Sequence, residues 1–287
     1  QIKENLYLLL LQKREEAAIS LAMTDDKARV VDHAYVVKKP VAPKKMFSVL
    51  GAWILGFLIP FGLIYVKEML NNKLVSKHDL DKLTESPILS EIPRLYRKDG
   101  EVITKNDVSP LAESFRILVT NLNFMLPKTN EAKTIFVTST VKGEGKTFVS
   151  VNLALALASS TRKVLVIGSD IRNPQLQRYN PAMKGAKGLS EYLYEEIDNV
   201  RDIIHPSGFH PYCDFIYSGV IPPNPTDLLQ NGRYEQLIES VKNDYQYVIL
   251  DTAPLMLVTD SFLISDVADA TLYVTRSDRK RFYTFCQ

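Results

Sequence analysis

Cysteine is nearly absent. The 287 residues include two, Cys213 and Cys286, far apart in sequence, which excludes a disulfide framework or a cysteine-based metal knuckle and is compatible with a reducing compartment. An excess of one charge is also missing. The formal net charge is +2, so no strong overall field argues for nucleic acid or an acidic partner. No internal repeat or low-complexity tract is present. What remains is ordinary for a folded protein: 46% hydrophobic and 24% charged residues, enough chain for one large or two modest domains. The chain runs from Gln1 to Gln287, closing soon after a strand-like run, and reads as a segment cut at both ends from a longer protein.

One stretch breaks the soluble pattern. From Phe47 to Val66, FSVLGAWILGFLIPFGLIYV, there is no charged residue. As a helix it is roughly 30 Å long, the thickness of a bilayer's hydrocarbon core. Lys44-Lys45 precede it and Lys67-Glu68 follow, with Trp53 and the better-placed Tyr65 available for the interfaces. A buried core helix is the alternative. It is disfavoured by the charged flanks and by Pro60, which a membrane helix tolerates better. The stretch lies too far into the chain, and is too long, for a signal peptide. Lysine and arginine counts on its two sides are similar, so they do not fix its orientation.

Around this span the chain divides into 1–46, 47–66, 67–110 and 111–287. Residues 1–22 are leucine-rich without Gly or Pro and predict a helix, either a core helix or a coiled-coil arm. ARVVDHAYVV, from Ala28 to Val37, predicts a strand, and KKPVAPKK an extended connector into the span. Residues 71–110, interrupted by Pro87, Pro93 and Pro110, predict a linker with one short helix and a strand-like PILSEIP. From Leu111 the pattern becomes regular. LAESFRILVTNLNFML is helical with Leu111, Phe115, Leu118 and Leu122 on one face. The apolar strands TIFVTST, KVLVIG, the one within DYQYVILDTAP, and ATLYVTR follow, and FVSVNLALALASS is a helix. Short apolar strands alternating with helices predict an α/β fold, a doubly wound, mostly parallel sheet covered on both faces.

Three segments carry the chemistry. Thr140-Val141-Lys142-Gly143-Glu144-Gly145-Lys146-Thr147 matches the phosphate-loop pattern except that Thr140 stands at the usual first glycine. Gly143 and Gly145 allow a tight turn whose N–H groups converge on a phosphate at a helix N-terminus. Lys146 is placed to neutralise phosphate charge and Thr147 to reach Mg²⁺. VILDTAP ends a buried-type strand on Asp251. Such a residue alone reads as a helix cap, but with the loop upstream it reads as a Mg²⁺ carboxylate. In KVLVIGSDIRNP, Asp170 should emerge at the same sheet edge, either toward metal or hydroxyl or as a cap. Arg172 either reaches a phosphate or stays solvated.

SxxxGEGKT, GSDIRNP after a hydrophobic strand, and YVILDTAP together resemble the bacterial tyrosine kinases of capsular and exopolysaccharide export. These belong to the deviant P-loop ATPase lineage that includes chromosome- and septum-positioning ATPases. LYLLLLQKREEA, KKPVAPKK and the single span resemble the end of a polysaccharide chain-length-determinant region. PLAESFRILVTNLNF resembles the family's Glu-x-x-Arg-x-x-Arg subunit-contact motif through Glu113 and Arg116. The resemblance covers nearly the whole chain. It implies ATP and Mg²⁺ as cofactors, Lys146, Asp170 and Asp251 as catalytic residues, and Thr147, Asp251 and Asp170 toward the metal. It also implies trans-phosphorylation between copies, an inner-membrane location with the kinase domain in the cytoplasm, and export machinery and a tyrosine phosphatase as partners, without nucleic acid. Three departures stand out. Gly168 replaces the first aspartate of the family's Asp-x-Asp-x-Arg, Val119 replaces the second arginine of the contact motif, and the acceptor tyrosine cluster is missing, with only Tyr283 near the end. A second reading follows from Gly168: an ATP-gated assembly module, or a positioning-type ATPase, with little tyrosine kinase activity.

Overall fold

The computed structural model describes residues 2–23, 44–70, 80–81, 84–95, 100–104, 106–129, 131–256 and 260–277. It separates into two compact units, Gln1–Glu68 and Met69–Gln287. The first contains helix α1 (Ile2–Met23) and nearly all of helix α2 (Lys45–Met69). No residue of either helix is buried. A helix that is apolar all round needs a protein core or a lipid environment to cover it, and α2 has the length and composition to cross a membrane. Pro60 lies inside it without ending it. The expected strand from Ala28 to Val37, and most of the connector after it, lie outside the described residues.

The second unit is built on a six-stranded sheet. Its strands are β1 (Lys133–Ser139), β2 (Val164–Gly168), β3 (Ile204–Pro206), β4 (Cys213–Ile216), β5 (Tyr247–Asp251) and β6 (Ala270–Val274), in the order β3-β4-β2-β5-β1-β6. All pairings are parallel except β3 with β4. The helices are α3 (Pro110–Met125), α4 (Lys146–Leu157), α5 (Leu189–Leu193), α6 (Pro225–Leu229), α7 (Arg233–Val241) and α8 (Asp260–Leu263).

Alternation along the strands divides the core into two layers. Ile135, Val137, Val164, Val166 and Ile249 pack with Phe115, Leu118 and Leu122 of α3 and Val149, Leu153 and Leu157 of α4. Phe136, Leu165, Ile167, Val248 and Leu250 face the other way, onto Leu189 and Leu193 of α5 and Tyr234, Leu237, Ile238 and Val241 of α7. Helices therefore cover both faces, as continuous apolar strands require. The four residues expected on the inner face of α3 are all buried. Its start is capped by Ser109, whose side chain accepts the Ala112 N–H at 3.2 Å, and Pro110 supplies a preset first turn.

PILSEIP joins no sheet. Pro87 and Pro93 have no N–H to give a ladder. The segment instead lies against α3, where Ser90 Oγ donates to the Ser114 carbonyl at 2.8 Å and Asn121 Nδ2 to the Leu89 carbonyl at 2.6 Å. The short helix expected in the linker falls mostly outside the described residues.

Candidate nucleotide site

The carboxyl end of β1 runs into the glycine loop, and the loop into α4. Gly143 and Gly145 have φ of 86° and 103°, the left-handed region that a β-carbon disfavours. Gly145 is the N-cap of α4 and no side chain caps that helix, so its leading N–H groups are oriented for an external anion. Within the loop, the Glu144 carboxylate accepts the Val141 N–H at 3.1 Å. Thr140 stands where a glycine is usual because its side chain is used: it is buried, and its hydroxyl bonds that of Tyr273 on β6. From just beyond β6, Arg276 Nη1 donates to the Gly143 carbonyl at 3.4 Å.

Beneath the loop lies the charged centre. Lys146 and Asp251 are both buried. Burial pushes the Asp251 carboxyl up to about 7, opposed by a hydrogen bond from Thr147 and by the Lys146 charge. The same burial lowers Lys146, which the Asp251 charge partly restores. Lys146 Nζ donates to Ser139 Oγ at 3.4 Å, and Ser150 Oγ donates to Asp251 Oδ1 at 3.4 Å. Asp251 sits in register with Val137 of β1 and Gly168 of β2, so three strand ends meet here.

Asp170 follows β2 onto the same edge, where its backbone N–H donates to the Asp251 carbonyl at 3.0 Å. Burial raises its carboxyl, against the Asn173 N–H that it accepts at 3.0 Å and the nearby Lys146. Asp170 thus caps the bend at Asn173, which starts no helix, and lies near the lysine. Lys142 Nζ reaches Asn173 Oδ1 at 3.2 Å. Arg172 is exposed, and its Nη2 donates to Thr226 Oγ1 at 3.0 Å, joining this loop to α6. Residues Lys142–Thr147, Asp170, Arg172, Tyr273 and Arg276 line one open cavity of about 2150 Å³ that extends to Ser86–Leu95. Glu113 and Arg116 lie elsewhere, exposed on α3 and paired with each other at 2.9 Å.

The donors around Asp251 are oxygens, the set that suits Mg²⁺. Among the described residues no group of three or more His, Cys, Asp or Glu could hold a metal by itself. One carboxylate and one hydroxyl instead fit a cation completed by phosphate oxygens and water. A buried carboxyl raised this far is short of positive charge, which such a cation would supply.

Position 168 shows why the missing aspartate is not simply a vacancy. A β-carbon built on Gly168 would lie 2.8 Å from Ser218 Oγ, and that hydroxyl donates to the Gly168 carbonyl at 2.6 Å. Ser218 has taken up the space that a side chain would need. Ser139 opens the SxxxGEGKT pattern, but neither Ser218 nor Ser150, Tyr273 and Arg276 stands out in the sequence. Of these, only Ser150 carries a spacing signal, one helical turn beyond Lys146.

Comparison with known proteins agrees with this architecture. Residues 1–69 match the family model described as "G-rich domain on putative tyrosine kinase", and residues 132–276 match the "AAA domain". "Putative tyrosine-protein kinase AmsA" of Erwinia amylovora is 33% identical over 96% of this chain and 40% of its own length. The chain therefore spans about 40% of the length of that curated relative. Among solved structures, the chimerical protein CapA2B2 superposes with a TM-score of 0.65 at 29% identity, covering 73% of this chain and 89% of that one. The kinase domain of Escherichia coli tyrosine kinase ETK gives 0.59 at 29% identity, over 74% and 79% respectively. The unit after the apolar helix is a nucleotide-binding fold, and the chain belongs to the AAA domain family.

Proposed function

We propose that this chain carries the membrane span and nucleotide-binding domain of an ATP-dependent protein-tyrosine kinase that regulates polysaccharide chain length and export. The observation that carries the reading is the meeting of Lys146, Asp170 and Asp251, all buried, under a glycine loop at the carboxyl edge of a parallel sheet, where open α/β sheets bind ligands. Residues 1–46 are then the end of an extracytoplasmic region, 47–66 the span, 67–110 the linker and 111–287 the catalytic domain. ATP is cytoplasmic, which places the side from Asn71 onward in the cytoplasm of a bacterial inner membrane.

In this reading the loop N–H groups and Lys146 hold the phosphates, while Thr147 and Asp251 hold Mg²⁺. The bound cation would supply positive charge to the phosphate oxygens as the transferred group departs. Asp170 orients the acceptor tyrosine hydroxyl. Burial raises its carboxyl, which makes it a better proton acceptor than an exposed aspartate. The full chain in detergent, mixed with a glutamate–tyrosine copolymer, should gain phosphotyrosine with Mg-ATP and none when the metal is chelated. Phosphate release with no phosphotyrosine would replace the kinase reading with that of an ATPase.

Gly168→Asp tests the departure from the family pattern. Alternation places position 168 on the same face as Asp251. The Ser218 contact means that the single variant should melt lower than wild type and transfer phosphate more slowly. Adding Ser218→Ala removes the contact, so the double variant should regain stability and exceed wild-type transfer, roughly 10²-fold for a positioned carboxylate. A double variant that is stable but no faster would show that the glycine is not a deficit.

Self-association is proposed to run through Glu113 and Arg116. Arg116 also donates to the Asp107 carbonyl ahead of α3, and Ile117 and Phe124 are exposed on the same helix. Arg116→Ala should shift the sedimentation profile toward smaller species without changing Mg-ATP affinity. An unchanged profile would leave Arg116 only its local role of bracing the loop before α3.

A further inference from the structure

Asn152 is fully buried in the middle of α4, a place where asparagine is a poor helix former and an unmet amide is costly. Its amide is not unmet. Oδ1 accepts the Ile103 N–H at 2.8 Å, and Nδ2 donates to the carbonyls of Glu101 and Phe148, both at 2.9 Å. It therefore holds the backbone on both sides of Val102, much as a neighbouring strand would. The Phe148 carbonyl belongs to the first turn of α4, beside Lys146 and Thr147. A second anchor comes from the loop after Asp170: Arg178 Nη2 bonds the Glu101 carboxylate at 2.8 Å. Ile103 itself is buried in the same core as Phe115 of α3. Two residues of the linker, Glu101 and Ile103, are thus tied to the segments that follow both halves of the nucleotide site.

We infer that Asn152 is a positioning residue that couples nucleotide binding to the linker at Glu101–Ile103. The inference rests on the nucleotide reading above. Phosphates that fix the glycine loop also fix the first turn of α4, and the shared amide passes that order to the linker. The coupling is reciprocal: a linker held by Asn152 favours the loop geometry that binds phosphate, and release of the linker weakens binding by the same factor.

The Ile103 amide gives a direct readout, because its hydrogen exchanges only when the bond to Asn152 opens. In the full chain in detergent, Mg-ATP should slow exchange at Ile103 by roughly tenfold. In Asn152→Ala the nucleotide should leave that exchange unchanged, and Mg-ATP affinity should fall by a similar factor. A merely structural asparagine would lower the melting temperature without linking the two readouts. Mg-ATP binding with no change at Ile103 in wild type overturns the inference, whether or not the variant folds. So does a folded Asn152→Ala that binds Mg-ATP as tightly as wild type. A wild-type chain that binds no Mg-ATP in the same titration would instead remove the nucleotide reading itself.

Discussion

Asp251→Asn is expected to make the nucleotide-free protein more stable while removing its phosphoryl transfer. The carboxyl is buried, and that burial pushes it up to about 7, far above the roughly 3.9 of an unfolded aspartate. Between these two values the native state holds a proton that the unfolded state has lost. Stability therefore falls as pH rises from about 4 to about 7 and is level above that. At pH 8 the penalty is on the order of 2–4 kcal/mol, and asparagine removes it without losing volume. The variant should melt about 5–15 °C higher in scanning calorimetry and should lose the decline between pH 4 and 7. Mg²⁺ binding to wild type must first expel the proton, so Mg-ATP affinity should rise with pH up to about 7 and then level off. Transfer should fall by roughly 10²–10³-fold in the variant, the scale of losing one charge-stabilising group. A variant no more stable than wild type at pH 8 would mean that Asp251 is already compensated without a cation.

Lys146→Ala should weaken binding. It removes the cation nearest the expected phosphates and leaves Asp251 with only the Thr147 and Ser150 hydroxyls. The side chain contributes a single hydrogen bond, to Ser139 at 3.4 Å, and no core methyl groups, so the sheet should survive. Calorimetric titration should show Mg-ATP affinity reduced by roughly 10²-fold or more, about 3 kcal/mol. Circular dichroism should be unchanged. Wild-type affinity in a folded variant would show that the loop binds phosphate without this lysine, or does not bind it.

What the sequence shows of this protein depends on how local each signal is. The phosphate loop is legible because its demands fall within eight residues: two glycines at positive φ, then lysine and threonine at a helix start. The inner face of α3 is legible from the spacing of Leu111, Phe115, Leu118 and Leu122. Strand β4 is only four residues long and lacks that redundancy, and β3, α5 and α6 are as short or little longer. Their places are set by the core they complete and not by propensity. The site shows the same division. Asp170 and Asp251 announce themselves by ending apolar strands. Tyr273 and Arg276 enter only because β6 pairs with β1 and brings them beside Thr140 and Gly143. The meaning of Gly168 lay in Ser218, fifty residues later, and that of Asn152 in a linker nearly as far upstream. PILSEIP misleads for a related reason. Its apolar Leu89 and Ile92 pack against the core that α3 joins, and its prolines forbid the ladder of a strand.

The fate of the γ-phosphate tests the central claim most directly. In a single turnover with γ-labelled ATP, Mg²⁺ and a tyrosine acceptor, the label should pass to tyrosine faster than it appears as free phosphate, and neither should occur in Lys146→Ala. Label appearing only as free phosphate, at a rate that the acceptor leaves unchanged, would contradict the account.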